Sequence, residues 1–256
     1  MKKCIMAVVA HADDMEVFAG GTMAKFVEQG YEGVLVMLSA NTAGAGVGGK
    51  KYRQTPPEEC MPVRAEETRA GAAKLGVRTV EFLNFQDMLY SDGKDFLFLG
   101  DAGFNPALPG VGPLLPAVAM NPKLIAPVTE VIARYEPEIV IMQHALSGFE
   151  HITSGHIVNL AFRQAMKNGA SLGQLWLPVT VRHCTWESDF RLYPSPNVLI
   201  DITAQWEKKV AAMLAHKSQG LEGAVEKIRA GNRYWGMARQ CELAEAFFTL
   251  CDARYR

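Results

Sequence analysis

A cluster of polar side chains follows the first apolar run of the chain, in residues 10–16 (AHADDME). His11 offers an imidazole nitrogen and Asp14 a carboxylate oxygen three positions later, so a turn could direct both at one cation. Nitrogen and oxygen donors of this kind suit Zn²⁺. Asp13 would then remain uncoordinated, and a free carboxylate beside a metal-activated water is placed to accept the proton of that water.

A metal site is not the only interpretation of this segment. The same acidic residues could cap the N-terminus of a helix as solvated charges, because free amides and the helix dipole favour carboxylates there. A catalytic zinc ion also needs a third protein ligand, which these seven residues do not supply. The local sequence therefore leaves both interpretations open.

The elements that must position these residues alternate between strand and helix patterns. Apolar runs predict buried strands at residues 4–10, 33–38, 79–83, 138–142, 179–184 and 198–202. Apolar stripes at helical spacing predict helices at residues 18–29, 62–75, 123–135, 153–167 and 203–217. This order predicts an α/β fold with a mostly parallel sheet and helices on both faces. Ligands bind at the carboxyl ends of the strands in such a sheet, which is where residues 10–16 begin.

The composition is that of an ordinary globular chain. Of the 256 residues, 49% are hydrophobic and 21% charged, and the net charge is −1. This balance predicts no nucleic-acid or anionic-membrane partner, since either would need a basic face. No apolar run approaches the roughly 18 residues that cross a bilayer, and residues 4–10 are too short for a secretory signal. Five scattered cysteines without a CxxC pair favour reduced thiols and a cytoplasmic location.

Two stretches break the alternation, at residues 43–61 and 89–122. Long loops are often lids or binding loops, although surface decoration is an equal alternative. The first stretch contains residues 44–50 (GAGVGGK), which fit GxGxxG and most of GxxxxGK. A phosphate site needs a helix directly after the glycines, whereas Pro56 and Pro57 would break a helix there. We therefore interpret these glycines as a loop rather than a nucleotide site.

An ordered series of motifs resembles the LmbE/PIG-L family of zinc-dependent N-acetyl sugar deacetylases. Residues 10–16 resemble the AHPDDE signature of that family, and residues 20–22 stand where its members carry GGT. Further resemblances are to the RxxE and LGV helix at 64–77, the FLxxxD strand end at 82–87, DIT at 201–203, HxSQ at 216–219 and AEAF at 244–247. Each match is weak alone, but the ordered set spans nearly the whole chain.

The resemblance implies one Rossmann-like domain over residues 1–256 that holds one divalent metal, in the first place Zn²⁺. It implies a hydrolase that removes an N-acyl group, in the first place acetyl, from an amino sugar or sugar conjugate, with Asp13 as general base. Similar proteins are often trimers or hexamers, so a homo-oligomer is expected. The alternatives are an amidase of a thiol–sugar conjugate and a metal-free or inactive sugar-binding protein.

The resemblance also implies the remaining site residues. Residues 148–151 (GFEH) correspond to the HPDH segment of the family, so His151 is the expected third metal ligand, with His156 as a substitute. Arg64 and Asp87 match positions that bind sugar hydroxyls or a substrate carboxylate. An ion pair between Arg64 and Glu67, one helical turn apart, is the alternative for that arginine.

Two departures from the family pattern concern the chemistry. Ala12 replaces the proline of the signature, and Gly148 stands at the first histidine of HPDH, which is thought to stabilise or protonate the tetrahedral intermediate. His144, four residues earlier, is expected to supply that imidazole, unless it is a strand-end histidine with ordinary hydrogen bonds. For His216, in the HxSQ element, a structural role at a helix end is at least as strongly expected.

Overall fold

The computed structural model describes residues 3–43, 55–91, 96–98, 108–113, 115–144, 148–180 and 195–254. The strands in this part of the chain are β1 (Cys4–Val9), β2 (Glu32–Ser39), β3 (Thr79–Phe85), β4 (Leu89–Ser91), β5 (Phe96–Phe98), β6 (Ile139–Met142), β7 (Gln174–Pro178), β8 (Val198–Asp201) and β9 (Ala244–Asp252). The α-helices are α1 (Asp14–Glu28), α2 (Pro57–Lys74), α3 (Leu115–Met120), α4 (Ala126–Tyr135), α5 (Phe149–Lys167), α6 (Trp206–Met213) and α7 (Val225–Arg239).

Seven strands form one sheet in the order β3-β2-β1-β6-β7-β9-β8. The first five in this order are parallel neighbours, and β9 runs antiparallel between β7 and β8. The predicted α/β fold with a mostly parallel sheet is therefore confirmed. Strands β1 and β6 are paired, with Ile5 opposite Ile139, so the segments that follow them emerge side by side at the carboxyl edge.

Helices cover both faces of the sheet, as predicted. Along β1, Met6 and Val8 point into one core with side chains of α3, α4 and α5. Ile5 and Ala7 point into the opposite core with side chains of α1, α2 and α6. This alternation follows from the two-residue period of a strand, and burial on both faces explains why the β1 sequence is continuously apolar.

Several predicted boundaries are wrong. The predicted helix at 62–75 begins earlier, because Pro57 rather than Pro62 occupies the first turn, where a proline is tolerated. Residues 181–184 of the predicted strand at 179–184 lie outside the described residues, and Val179 and Thr180 follow the end of β7 at Pro178. The predicted helix at 203–217 is divided into a 3₁₀ turn (Thr203–Gln205), α6 and a second 3₁₀ turn (Lys217–Gln219).

Two earlier helix starts bear directly on the site. Helix α1 begins at Asp14 rather than at residue 18, and α5 begins at Phe149 rather than at residue 153. Both His11 and His151 therefore lie at the N-terminal ends of helices. Helix starts are hard to locate here because Asp13 forms no side-chain capping hydrogen bond to α1, and Gly148 has no side chain with which to cap α5.

The predicted long loops are partly structured. The stretch at 89–122 contains the antiparallel pair β4–β5 and helix α3, and the stretch at 43–61 ends inside α2. The glycine motif at 44–50 lies outside the described residues. Among the described helices, none combines the length and apolar character needed to cross a membrane. The prediction of a single domain over residues 1–256 stays a prediction.

Candidate metal centre and active site

Three elements bring the predicted metal ligands together at the carboxyl edge of the sheet. His11 lies in the turn between β1 and α1, and Asp14 is the first residue of α1. The backbone N–H of His11 donates to Asp14 Oδ2 at 2.8 Å, which fixes that carboxylate against the turn. His151 lies in the first turn of α5, which follows the neighbouring strand β6. The pairing of β1 with β6 thus joins residues 140 positions apart.

The donor atoms of these residues form a compact triangle. His11 Nδ1 lies 3.1 Å from His151 Nε2 and 3.6 Å from Asp14 Oδ2, and His151 Nε2 lies 3.4 Å from Asp14 Oδ1. Ligand atoms held about 2.1 Å from a tetrahedral Zn²⁺ lie about 3.4 Å apart. The donor set and its spacing therefore fit zinc, and the two imidazoles, about one fifth exposed, leave the centre open to solvent.

Glu150 supports the second ring nitrogen of His11 and was not predicted from the sequence. Its Oε2 lies 2.8 Å from His11 Nε2, and its Oε1 accepts the backbone N–H of Met88 at 2.5 Å. A metal-binding histidine commonly donates its other N–H to a carboxylate, which fixes the tautomer and ring orientation. The available signal was its place beside His151, at the acidic position of the HPDH-like segment.

A second donor group in the described residues, formed by His11, Asp87 and Glu150, overlaps the first. The two groups use opposite ring nitrogens of His11. The 2.8 Å separation of His11 Nε2 and Glu150 Oε2 is a hydrogen-bond length, shorter than the spacing of two ligands around one ion. The group formed by His11, Asp14 and His151 is therefore the better candidate for binding an ion.

The electrostatics of the triangle reflect its imidazole–carboxylate contacts. Burial opposes the charge on His11, but the carboxylates of Glu150 and Asp14 raise the pKa of His11 well above its usual range. Burial also opposes the charge on Asp14, but the imidazoles of His151 and His11 hold the pKa of Asp14 below its usual range. Asp14 is therefore ionised at neutral pH, as a carboxylate that binds a cation needs to be.

Asp13 occupies an unusual backbone conformation beside the triangle. Its φ of 91° is left-handed, which is uncommon outside glycine and strained when the surroundings impose it. The side chain is half-buried and forms no capping hydrogen bond to α1, so the alternative of a simple helix cap does not describe it. Burial raises the pKa of Asp13 to about 6, although the guanidinium of Arg64 opposes the shift. The charged groups that act on this carboxylate are Arg64, Asp14, His216 and Glu16, and Asp13 is not a member of the donor triangle.

Arg64 and Asp87 are close to the centre but are only 3% exposed. Arg64 Nη2 donates to the backbone oxygen of Ala12 at 2.7 Å and to Asn41 Oδ1 at 3.1 Å, which ties α2 to the signature turn. The alternative partner of Arg64, Glu67, instead accepts hydrogen bonds from the backbone N–H and hydroxyl of Ser218.

Asp87 faces His11 from the end of β3. Its Oδ2 accepts the backbone N–H and hydroxyl of Thr42, and its Oδ1 lies 3.6 Å from His11 Nε2. Burial and the nearby Glu150 carboxylate raise the pKa of Asp87. Arg64 and Asp87 therefore both lie at the candidate site, where they hydrogen-bond to Ala12, Asn41 and Thr42, and substrate binding by them stays a prediction.

His144 follows β6 and is fully buried against the centre. Its ring centre lies 4.5 Å from that of His151 and 4.4 Å from that of Phe18, edge-on in both cases. The structure therefore brings His144 to the site but beneath the metal ligand. His156, the substitute ligand, is exposed on α5, so His151 is the histidine of that helix that joins the triangle.

His216 contacts α1, the helix that begins in the signature segment. Its Nε2 lies 3.2 Å from Glu16 Oε1, and both side chains are buried. A Cβ on Gly71 would lie 2.6 Å from that carboxylate oxygen and 2.8 Å from the imidazole, so α2 can approach this pair only with a glycine there. The expected structural role of His216 fits this junction of α1, α2 and the segment after α6.

Three of the other motifs meet at a second buried ion pair, between Lys209 and Glu245, whose charged atoms lie 2.5 Å apart. Glu245, from the AEAF segment, also accepts the backbone N–H groups of Gly21 and Thr22 from the GGT segment. A Cβ on Gly21 would lie 2.7 Å from Ile202 of the DIT segment. These motifs therefore hold α1 in place rather than contribute to the metal triangle.

The fold and the site together describe an α/β protein with a candidate cation site of two histidines and one aspartate at the carboxyl edge of a parallel sheet. Residues 6–163, more than half of the chain, match the PIG-L family, described as GlcNAc-PI de-N-acetylase, and the chain belongs to that family.

Among its relatives is the 4-oxalmesaconate hydratase of Pseudomonas putida, with 25% identity over 224 residues, 83% of this chain and 72% of the hydratase. Similar solved structures include an N,N'-diacetylchitobiose deacetylase from Pyrococcus horikoshii, with TM-score 0.69 and 17% identity over 99% of this chain and 85% of the other. Another is the 4-carboxy-2-hydroxymuconate hydratase of Pseudomonas putida, with TM-score 0.67 and 22% identity over 98% and 97% of the two chains. At these identities the structural likeness concerns the fold.

Proposed function

We propose that this protein is a metal-dependent hydrolase that removes an N-acyl group, in the first place acetyl, from an amino sugar or sugar conjugate. The observation that carries the proposal is the triangle of His11, Asp14 and His151 with the uncoordinated Asp13 beside it. Membership of a family described by de-N-acetylation supports it. Zn²⁺ is the proposed ion because two imidazoles and one carboxylate leave the open position of a catalytic zinc site.

A zinc ion bound there would supply Lewis-acid chemistry, polarising the acyl oxygen and lowering the pKa of a water molecule. Side chains of the protein would carry out the proton transfers and hold the other groups in position. Asp13 accepts the proton of the attacking water and returns it to the nitrogen of the leaving amine, so that one water is consumed and a carboxylic acid and an amine are released. Glu150 holds the ring of His11, and Arg64 holds the turn that carries Asp13.

Oxyanion stabilisation is the proposed role of His144. A donor to the developing oxyanion commonly contributes on the order of 100-fold or more in rate. Since His144 is fully buried, this role requires that substrate binding brings the acyl oxygen to the ring beside His151. The variant His144→Ala tests the role: lost turnover with zinc retained supports it, whereas lost zinc assigns His144 to the orientation of His151. Unchanged turnover with zinc retained would exclude both.

Substrate binding by Arg64 and Asp87 is also proposed. Both residues lie close to His11. Arg64 donates a hydrogen bond to the signature turn and Asp87 accepts one from Thr42, so their positions are fixed, but these hydrogen bonds do not identify a substrate contact. The structure adds that Arg64 supports the backbone of Ala12. If a residue of this pair binds substrate, its conservative variants Arg64→Lys and Asp87→Asn should raise KM more than they lower kcat.

Hydration of a carbon–carbon double bond in an unsaturated carboxylic acid is a second candidate. It is favoured by the similarity to a hydratase over 83% of this chain and by Gly148, which replaces the first histidine of the deacetylase HPDH pattern. The same base would serve: the oxygen of water adds to one carbon, and the proton taken by Asp13 is delivered to the other. No amide bond is broken in this reaction.

A parallel assay separates the two candidates. Purified protein, with and without added Zn²⁺, is incubated with N-acetylated sugars and sugar conjugates, including thiol conjugates, and free amine is measured. The same preparations are incubated with unsaturated dicarboxylic acids, whose hydration removes ultraviolet absorbance. Zinc-dependent amine release supports the deacetylase, and loss of absorbance alone supports the hydratase. Protein that lacks stoichiometric metal and both activities would be the inactive binding protein.

A further inference from the structure

Asn41 lies two residues beyond the end of β2, beside the signature turn that follows β1. It was not predicted as a site residue. The residue is only 4% exposed, and its φ of 56° is left-handed, a conformation in which asparagine is enriched among residues other than glycine. A buried polar side chain needs hydrogen-bond partners, and two of the partners of Asn41 belong to the candidate site.

Three hydrogen bonds orient the side-chain amide of Asn41. Its Oδ1 accepts the backbone N–H of Ala12 at 2.9 Å and Nη2 of Arg64 at 3.1 Å. Its Nδ2 donates to the backbone oxygen of Ser39 at 3.2 Å. Two donors face the amide oxygen and one acceptor faces the amide nitrogen, so an exchange of these two atoms would bring like groups together. The oxygen is therefore the atom that faces the signature turn.

The amide oxygen of Asn41 holds both peptide groups that flank Ala12. It binds the N–H of the peptide group between His11 and Ala12 directly. It also binds Arg64 Nη2, which donates at 2.7 Å to the backbone oxygen of Ala12, in the peptide group between Ala12 and Asp13. Because a peptide group is rigid and planar, a hydrogen bond to one atom of each group limits the backbone of Ala12 on both sides.

Asp13, the proposed base, follows this segment in a backbone conformation that needs support from its surroundings. Its φ of 91° is the rotation about the bond between the nitrogen of the second peptide group and the Cα of Asp13. A left-handed aspartate is strained and persists where the surrounding structure imposes it. The hydrogen bonds at Ala12 fix the peptide group from which this rotation starts.

We propose that Asn41 is a positioning residue for the reaction, which holds Ala12 so that the carboxylate of Asp13 is directed at the reacting water. This inference rests on the proposed function, and it applies equally to the hydratase candidate, which uses the same base. Asn41 acts through Ala12 and Arg64 and does not touch the reacting atoms. Ala12 replaces the proline of the signature, so residue 12 has an N–H for Asn41 to bind.

The variant Asn41→Gly tests this role without straining the backbone, because glycine adopts a left-handed φ freely. It should lower kcat, expressed per bound zinc, by about 100-fold, and change KM by less than about threefold, since a misplaced reacting group costs rate rather than binding. Asn41→Asp keeps an oxygen for both Ala12 and Arg64 and should retain kcat within about fivefold of the wild type. Gln240→Gly makes a similar change at an exposed amide residue with φ of 60°, at the end of α7, and should leave kcat unchanged.

A merely structural role of Asn41 gives a different result. It would lower Tm and the yield of zinc-loaded protein in Asn41→Gly but leave kcat per bound zinc intact. That result, or a loss of kcat in Asn41→Asp as large as that in Asn41→Gly, would overturn the proposal.

Hydrogen exchange of the Ala12 amide, followed by NMR in metal-free and zinc-loaded protein, is a second measurement that needs no activity. In the wild type this amide should be protected, because it is buried and donates to Asn41. Its exchange should be at least about fivefold faster in Asn41→Gly but not in Asn41→Asp, while the amides of β1 keep their wild-type rates. Free exchange in the wild type, or equal exchange in all three proteins, would overturn the proposal.

The two measurements distinguish failure of this inference from failure of the proposed function. If Asn41 protects the Ala12 amide but neither amide hydrolysis nor hydration is detected, the proposed function fails, and the role of Asn41 in the reaction fails with it. If either reaction is detected and Asn41→Gly retains kcat per bound zinc, the function stands and the positioning role fails.

Discussion

At the scale of single residues, His11 has a different partner on each side of its ring. Nδ1 faces Asp14 and His151, whereas Nε2 faces Glu150 and Asp87. If Glu150 accepts the proton of Nε2, Nδ1 is left with a free lone pair for a metal. Glu150, which precedes His151 in the sequence, thus contacts His11, 139 positions away, because the first turn of α5 lies in space beside the end of β1.

The first prediction concerns this support. Glu150→Gln should lower zinc affinity about 10- to 100-fold, because a neutral amide is a weaker acceptor for the second N–H of His11. Zinc titration against a chelator of known affinity measures the change. Glu226→Gln, at an exposed glutamate in the first turn of α7, is the matched control and should bind zinc as the wild type does. Unaltered affinity in the Glu150 variant would contradict the support role.

The second prediction distinguishes Asp13, the proposed general base, from Asp14, the proposed metal ligand. Asp13→Asn should reduce kcat by about 10²- to 10⁴-fold, because the amide cannot accept the proton of water, while zinc content stays near that of the wild type. Asp14→Asn should lose both zinc and turnover, since that carboxylate belongs to the triangle. Kinetics and metal analysis on the same preparations provide the test. If Asp13→Asn loses zinc too, Asp13 is not an independent base.

At the scale of elements, α1 is held by groups inserted from distant parts of the chain. Lys209 and Glu245 are fully buried, and Glu245 also binds two backbone N–H groups of α1. Removing one partner of a buried ion pair leaves the other charge uncompensated, which costs far more than the loss of an exposed pair. The orientation of Asp14 therefore depends on contacts remote from the metal.

The third prediction uses two adjacent lysines as target and control. Lys209→Met should lower the free energy of unfolding by about 3–5 kcal/mol. Lys208→Met removes an exposed pair with Glu28, at 2.6 Å and with both side chains more than a third exposed, and should cost less than about 1 kcal/mol. Urea denaturation of the zinc-loaded proteins measures both. Similar losses of unfolding free energy in the two variants would show that burial does not determine how much an ion pair contributes to stability.

The fourth prediction concerns pH and the junction of α1 with His216. Burial opposes the charge on His216, but Glu16 raises the pKa of His216 above its usual value in the folded protein. A histidine whose pKa is raised on folding contributes its full stabilisation of the folded state at pH values below its pKa in the unfolded chain, about 6.5. This contribution is lost as the pH rises through its pKa in the folded protein. The stability difference between wild type and His216→Gln should therefore shrink as pH rises above about 6.5.

Denaturation with chelator present, from pH 6 to pH 9 in steps, keeps metal binding out of this measurement. The variant Glu16→Gln removes the group that raises the pKa of His216, so its own deficit relative to wild type should follow the same course with pH. A deficit in His216→Gln that grows with pH would reverse the sign and contradict the assignment.

At the scale of the whole molecule, the candidate metal centre lies where the two halves of the parallel sheet meet. His11 and Asp14 follow β1, and His151 follows β6, so the donor triangle exists only when these strands are paired. An ion that binds the triangle binds the folded state and not the unfolded chain, and therefore stabilises the fold by mass action.

The fifth prediction follows from this linkage. Free Zn²⁺ at 100 times its Kd should stabilise the protein by about 2.7 kcal/mol and raise its Tm, and chelator should reverse the effect. His151→Ala should abolish the zinc-dependent shift in Tm, whereas His156→Ala, on the exposed face of the same helix, should retain it. A shift that survives in His151→Ala would mean that zinc binds elsewhere.

Much of the fold was predictable because its physical signals are local. A strand covered on both faces must be apolar throughout, so β1 and β6 stand out in the sequence, and the alternation of strands with helices leads to a parallel sheet. Helix starts were predicted less well. Helix α2 was predicted to begin at Pro62 but begins at Pro57, and α5 was predicted to begin at residue 153 but begins at Phe149, without a side-chain cap.

The sequence by itself determined where the candidate site lies, because a histidine and two aspartates directly after a buried strand of a parallel sheet stand at its ligand-binding edge. Only the tertiary structure decided that His151 completes the donor triangle, that Glu150 supports His11, and that His144 packs edge-on against His151. The first two relations join segments more than 130 residues apart. They depend on which strands are neighbours and where helices begin, and those are decided by packing of the whole chain.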